Sequence, residues 1–150
     1  MNYVDHASAS SYFALRLNSC AWNNATLDQQ EASLLEATEI IDRLPLTGYK
    51  AVKDQKLRFP RAGQGEIPTV PQDVKDACCD IALGLLDGID MEAEFMQLSH
   101  SRDRYANITE QRDTVMVEDH IVAGIPLTRA YRRLAKYIRS YQSVTLGRTS

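Results

Sequence analysis

Proline and glycine are concentrated in residues 45–72, and this stretch limits the folds that the chain can adopt. Its helix-breaking residues are Pro45, Gly48, Pro60, Gly63, Gly65, Pro68 and Pro71. Proline lacks a backbone donor and clashes with the preceding helical turn, so no continuous helix can run through the segment. The chain therefore divides into helical regions on either side of a long loop. Inside a compact domain, a loop of this length is often functional.

On both sides of this loop, apolar residues recur every three or four positions, which is the spacing of a helix with one buried face. We expect helices over 10–21, 28–44, 71–88 and 91–100, and a last helix from 126 whose Leu127 and Leu134 face inward. Asp28 and Glu31 have the spacing of a capping box, and Tyr3 and Val4 predict a short strand. The expected fold is mainly α: a small helical bundle with a long Pro/Gly-containing loop.

The stretch 103–125 has mixed character. Residues 114–117 are strand-like, and residues 105–109 are a candidate partner for them in a short β-hairpin. We expect a single domain with three parts: a helical core over 1–100, a hairpin or loop insertion over 101–125, and a C-terminal helix with an extended tail over 126–150.

Composition and charge exclude several classes of protein. The 150 residues are 44% hydrophobic and 25% charged with a net charge of -3, so the chain is not disordered throughout. No apolar run is long enough to span a membrane, and the N-terminus lacks a secretory pattern. Residues 1–100 contain 8 basic and 15 acidic residues, whereas residues 101–150 contain 9 and 5. An acidic body and a basic end suit pairing between copies, an acidic partner or nucleic acid, although a solvated basic helix face explains the same pattern.

The residues that usually carry chemistry have no productive spacing. His6, His100 and His120 lie far apart in the sequence, and the three cysteines form no C-x-x-C pair. The glycines at 63 and 65 are not followed by the glycine and lysine of a phosphate loop. We therefore expect no enzyme, no metal site and no cofactor.

Two stretches are candidate interaction sites. In the loop, Arg58, Phe59 and Arg61 place an aromatic ring between two guanidinium groups, which suits a protein groove or a stacked base with phosphate contacts. Alternatively, Phe59 packs into the chain's own core. The second stretch is the basic end of the chain, with Arg129, Arg132, Arg133, Lys136, Arg139 and Tyr141. Basic and aromatic residues together are typical of a nucleic-acid surface, but the helical spacing of the tyrosines also suits core packing.

Four runs of sequence occur in an order that is similar to a known family. They are AW at 21–22, EASLLEATEIIDRL at 31–44, GYKAVKDQKLRFPRAG at 48–63 and IPTVPQDVKDACCDIALGLLDG at 67–88. Over about residues 3–100 the chain resembles the head–tail connector, or adaptor, proteins of tailed bacteriophages. The same pattern occurs in phage proteins labelled DnaT-like single-stranded-DNA-binding proteins. Residues 101–125 match no motif of the connectors.

The resemblance implies a structural virion protein at the head–tail junction that is present in the host cytoplasm during assembly. About twelve copies would form a ring below the portal protein and offer a surface to tail or nozzle proteins. Double-stranded DNA would pass through the ring without sequence-specific binding during genome packaging and ejection, and no membrane is involved. The basic C-terminal segment would reach the portal. The alternative function is a DnaT-like single-stranded-DNA-binding replication protein.

Overall fold

The computed structural model of the chain describes residues 1–62, 69–105 and 119–139. These residues form seven α-helices and one small antiparallel sheet, so the predicted mainly α fold is confirmed. The helices are α1 (His6–Ala14), α2 (Cys20–Asn24), α3 (Leu27–Arg43), α4 (Gln72–Leu86), α5 (Met91–Tyr105), α6 (Asp119–Val122) and α7 (Thr128–Leu134). A 3-10 turn over Ala135–Tyr137 follows α7, and the strands are β1 (Tyr49–Lys50) and β2 (Arg61–Ala62).

The helix α3 begins with a capping box, but its residues are not the predicted ones. The Thr26 hydroxyl accepts a hydrogen bond from the Gln29 amide at 3.3 Å, and the Gln29 side chain accepts one from the Thr26 amide at 2.9 Å. The prediction of Asp28 and Glu31 was wrong because Asp28 already lies inside the first turn. An acid in that turn still stabilises the helix through its dipole.

The helix α4 is the centre of the packing and makes its largest contacts with α3 and α7. Val74, Cys78 and Ile81 are fully buried along it, and burying an aliphatic side chain of this size contributes about 1.5–3 kcal/mol. Gly84 lets the chain that precedes α7 approach closely. A Cβ atom at Gly84 would lie only 2.9 Å from the Cβ of Pro126.

The N-terminal region differs from the prediction of one helix over 10–21. The structure has two helices, α1 and α2, separated by residues 15–19, with Leu15 and Leu17 exposed in between. The cause is the pairing of Phe13 with Trp22, whose ring centroids are 4.6 Å apart. In a continuous helix these positions would be separated by about 13.5 Å along the axis and lie on opposite faces. The chain must bend to bring the two rings together.

Residues 1–5 form no strand, contrary to the prediction from Tyr3 and Val4. Both side chains are nevertheless buried in the core. The Tyr3 amide donates a hydrogen bond to the Thr38 hydroxyl at 3.2 Å, so the segment is held on α3 by a side chain of that helix and not by strand pairing.

No helix crosses residues 45–62, as the prolines predicted. Tyr49 pairs with Ala62 and Lys50 with Arg61 across the two short strands. We call residues 49–62 the basic hairpin. Gly48 lies at its base with a φ of 73°, and a Cβ there would meet the Ala62 carbonyl oxygen at 2.8 Å. Glycine is therefore required at this position.

The predicted hairpin partners 106–109 and 114–117 lie outside the described residues, and Tyr105 is the last residue of α5. The C-terminal chain returns to the long loop, where Leu46 forms a β-bridge with Ile138. This bridge places the end of the described chain beside the basic hairpin. None of the helices in the described ranges has the length and apolar character needed to cross a membrane.

Candidate nucleic-acid interface

Acidic residues on α4 face basic residues on α7 in antiparallel order. Lys136 donates a hydrogen bond to Asp73, which raises the pKa of the lysine. Arg133 contacts Asp76 at 3.1 Å, one turn along α4. The acids recur at three- or four-residue spacing and therefore occupy one face of α4. The bases recur at the same spacing and occupy one face of α7 and the 3-10 turn that follows it. We call this set of pairs the α4–α7 ladder.

The most buried member of the ladder is Asp80, whose side chain is only 2% exposed. Its Oδ1 accepts a hydrogen bond from the Tyr12 hydroxyl at 3.0 Å and pairs with Arg129 at 3.1 Å. Its Oδ2 pairs with Arg133 at 3.3 Å but accepts no hydrogen bond among the described side chains. Burial, followed by the charge and hydrogen bond of Asp80, raises the pKa of Tyr12 to about 12.

The ladder changes the interpretation of the basic C-terminal helix. Arg129, Arg133 and Lys136 were expected to point outward to a partner, but the structure pairs all three with carboxylates of the same chain. Arg132 is exposed on α7, and Tyr141 lies outside the described residues. The positive charge of α7 is therefore largely compensated inside the protein.

The loop of the basic hairpin is shaped by one glutamine. The Gln55 side chain accepts a hydrogen bond from the Val52 amide at 3.0 Å and donates to the carbonyls of Leu57 and Pro60 at 2.9 Å. The Lys50 ammonium donates to the Gln55 carbonyl at 2.9 Å. These bonds satisfy backbone groups that a loop would otherwise leave to water, so the hairpin has a defined shape.

Phe59 anchors the hairpin in the core and does not present its ring to a partner. It is 2% exposed, and its ring packs edge-on against Tyr3 and Tyr137 with centroid distances of 5.9 and 5.3 Å. The Tyr3 hydroxyl accepts a hydrogen bond from the Phe59 amide and donates one to Asp42. Burial and Asp42 raise the pKa of Tyr3 well above its usual range. Of the two alternatives at this position, the structure supports core packing, and stacking by Phe59 was wrong.

Arg61 holds the hairpin closed and sits inside a group of like charges. Its guanidinium donates to the carbonyls of Thr47, Gly48 and Arg58. Partial burial, together with the nearby charges of Arg58 and Arg139, lowers the pKa of Arg61. The structure therefore brings Arg139 close to two predicted site residues of the loop that are distant from it in sequence. We call Arg58, Arg61 and Arg139 the arginine cluster.

Arg139 joins this cluster through the backbone. Its amide donates to the Pro45 carbonyl at 2.7 Å, and the Thr47 amide donates to the Tyr137 carbonyl at 2.8 Å. These bonds fix the C-terminal strand-like segment against the start of the loop. The sequence gives no sign of this neighbourhood, because the residues are about ninety positions apart.

The outer surface of the basic hairpin combines exposed charge with exposed apolar groups. Lys53, Lys56 and Arg58 are exposed, and no carboxylate among the described side chains lies within ion-pair distance of them. Tyr49 is 70% exposed and Val52 59% exposed. Residues 49–62 contain five basic residues and one acid, a net charge of +4. Cations beside an accessible aromatic ring are the elements of a single-strand binding surface.

A protein family described as "Putative DnaT-like ssDNA binding protein" matches residues 2–142 of the chain. The chain belongs to this family. The match includes every element that the structure describes and extends past the arginine cluster. No curated protein and no solved structure matches the chain.

The DnaT-like chain offers little else that suggests a site. Among the described residues, no group of three histidine, cysteine or acidic side chains is placed to hold a metal ion. Cys78 and Cys79 are both buried. Burial raises the pKa of Cys78 to about 11 and that of Cys79 further.

Sequence analysis missed Tyr49 as a candidate and did not single out Lys53 or Lys56. The signal that could have found them is the excess of basic residues between two glycines of the sequence, Gly48 and Gly63. The predicted contact residue was Phe59, because an aromatic ring between arginines resembles a binding motif. Sequence alone does not show which of two nearby rings the fold buries.

Proposed function

We propose that this DnaT-like protein binds single-stranded DNA through the basic hairpin and the arginine cluster. The observation that carries the proposal is the exposed ring of Tyr49 in the same hairpin as exposed cations that have no carboxylate partner among the described side chains. The family description supports the same class of ligand. The interface is small and lies at one end of the molecule, where β1, β2 and residue 139 meet.

Each part of the surface has a distinct role in this proposal. Lys53, Lys56 and Arg58 contact the phosphates, and their displacement of condensed counterions drives binding. Tyr49 stacks on a base, which discriminates single strands from duplexes because the faces of paired bases are covered. Arg61 positions the hairpin, since its guanidinium is occupied by three backbone carbonyls.

Fluorescence anisotropy with a labelled oligothymidylate, measured over a salt series, tests the proposal. The Tyr49→Leu variant loses one stacked base, worth about 1–3 kcal/mol, so it binds at least about fivefold more weakly. Tyr49→Phe keeps the ring and restores binding. The Lys53→Gln/Lys56→Gln variant lowers the slope of log affinity against log salt by about 1.4 if each lysine meets one phosphate.

The matched control is Arg16→Gln/Arg43→Gln, which removes the same charge from residues outside the hairpin. It should bind almost as tightly as the unmodified chain. No binding at low salt would remove the proposal. Equal losses in the hairpin variant and in the control would show that only net charge matters, which also contradicts a defined site.

A second candidate function is the head–tail adaptor that the sequence resembles. The observation that favours it is the loop between α1 and α2, where Leu15 is 88% and Leu17 99% exposed. Beside this loop lies a groove lined partly by Leu83 and Leu127. Exposed leucines next to a groove are a candidate protein contact, and a DNA-binding role does not use them.

In this second proposal the loop and groove contact the portal protein or a tail protein. Electron microscopy of the chain mixed with its portal tests it, and added density below the portal ring is expected. The Leu15→Ser/Leu17→Ser variant should abolish that density but leave oligothymidylate binding unchanged. A portal ring that gains no density with the unmodified chain contradicts the adaptor function.

A further inference from the structure

The outer face of α3 is acidic at its rim and apolar along its centre. Leu35 is 45% exposed although the opposite side of the helix is fully buried. It lies with Ile40 in a shallow groove between Glu36 and Glu39. Asp28 and Glu31 extend the acidic rim toward the start of the helix. We call the outward residues of this helix the α3 face: Asp28, Glu31, Ala32, Leu35, Glu36, Glu39, Ile40 and Arg43.

Charge on the α3 face is only partly compensated. Arg43 pairs with Glu39 at 3.4 Å, but both side chains are more than half exposed and such a pair is weak. The acids at 28, 31 and 36 have no cation within ion-pair distance among the described side chains. An amphipathic helix with both faces partly apolar has a second surface available for packing.

The basic hairpin is the complement of this face within the same molecule. Its exposed apolar groups are Tyr49 and Val52, and the same hairpin exposes Lys53 and Lys56. Both surfaces thus combine exposed apolar groups with exposed charges, and the charges of the two surfaces are of opposite sign. Complementary charge of this kind sets the register and orientation of a protein contact.

We propose that the basic hairpin of one copy of this chain docks on the α3 face of a second copy. The two surfaces are different, so the contact is heterologous and leaves a free hairpin at one end of a pair and a free α3 face at the other. Further copies add in the same direction. Within a single chain the hairpin is held at the end of α3 by the bond from the Arg58 amide to Asp42, at 3.2 Å.

The proposal is independent of DNA binding and is tested without DNA. Sedimentation velocity of the full chain over a concentration series at low salt should show reversible association that weakens as salt screens the charges. Glu36→Gln/Glu39→Gln on the α3 face and Lys53→Gln/Lys56→Gln on the hairpin should each weaken association about tenfold, as expected for two lost ion pairs. Glu92→Gln/Glu94→Gln on α5 removes the same charge from another exposed helix and should have no effect.

Mixing the two defective variants gives the decisive result. The α3 variant keeps an intact hairpin and the hairpin variant keeps an intact α3 face, so the mixture forms one unaltered contact. It should yield heterodimers with the affinity of the original contact but no larger species. Far-ultraviolet circular dichroism confirms that each variant is folded.

Three results would each overturn the proposal. The first is an unmodified chain that stays monomeric at low salt. The others are an α3 variant that associates as tightly as the unmodified protein and a mixture that forms no heterodimer. The α3 variant should still bind oligothymidylate, because its hairpin is unchanged. Failure of self-association is therefore distinguishable from failure of DNA binding.

Discussion

Replacing Arg133 by methionine tests the interpretation that the basic charge of α7 is structural. The substitution keeps the apolar stem but removes the cation that contacts Asp80 Oδ2, an atom that accepts no hydrogen bond among the described side chains. Breaking a buried ion pair on one side typically costs 3–5 kcal/mol. Since Asp80 Oδ1 keeps Tyr12 and Arg129, we expect the lower end, about 3 kcal/mol of unfolding free energy.

Urea unfolding followed by circular dichroism at neutral pH measures this loss. In a chain of this length, about 3 kcal/mol corresponds to a fall in Tm of about 6–12 °C. Arg132→Met is the matched control, since Arg132 is the exposed neighbour of Arg133, and its effect should stay within about 0.5 kcal/mol.

A double-mutant cycle separates the ion pair from lost packing. Asp80→Leu/Arg133→Met removes both charges and should be at least about 1 kcal/mol more stable than the sum of the single changes predicts. If Arg133→Met and Arg132→Met are equally stable, or if the cycle is additive, then the ladder does not hold α7 on α4. The basic residues of α7 would then be available to a partner after all.

Three further predictions follow from single residues. Gly48→Ala places a Cβ against backbone at a positive φ and should destabilise the chain by at least about 1 kcal/mol in the same urea assay. The pKa of Tyr12 is raised to about 12, so its contribution to stability is complete below about pH 10 and is lost toward pH 12. As the pH rises over this range, the free energy of unfolding should fall less steeply for Tyr12→Phe than for the unmodified chain. Cys20 is exposed whereas burial raises the pKa of Cys78 to about 11, so a thiol reagent at neutral pH should modify Cys20 in the native chain and Cys78 only after denaturation.

The helices α3 and α4 were predictable because their signals are local. The apolar positions of α4 repeat with helical spacing, and Pro71 precedes its first turn without needing an amide partner. The structure begins this helix at Gln72, one residue after the proline. Where the apolar spacing and the placement of proline agree, the helix forms as expected, although the cap of α3 was predicted at the wrong residues.

The break between α1 and α2 was not predictable from periodicity. Phe13 fits the helical spacing of residues 10–21 and Trp22 directly follows that stretch, and only the contact of the two rings in the folded chain shows that the chain bends between them. The same limit applies to Phe59, which is buried by Tyr3 and Tyr137 from the two ends of the chain. Contacts between distant residues decide these positions, and spacing carries no information about them.

The sequence carries a signal that predicts the α4–α7 ladder. Asp73, Asp76 and Asp80 repeat at three- and four-residue intervals, and the bases of α7 repeat in the same way. Matching intervals of opposite sign on two helices predict a shared interface. The net charges of residues 1–100 and 101–150 do not show this match, because a net charge gives the sign of a region and not the direction of its side chains.

Among the described residues, two surfaces still carry opposite charge once the ladder is formed. The basic hairpin keeps a charge of +4 over residues 49–62, and the α3 face keeps its acids. In the two proposals, single-stranded DNA and the α3 face of another copy use the same lysines and the same exposed Tyr49, so they would not occupy one hairpin together. Binding of either ligand must then oppose the other by the same factor, because coupling between two equilibria is reciprocal. A DnaT-like chain built in this way would exchange contacts with its own copies for contacts with DNA, and salt would weaken both since each depends on exposed charge.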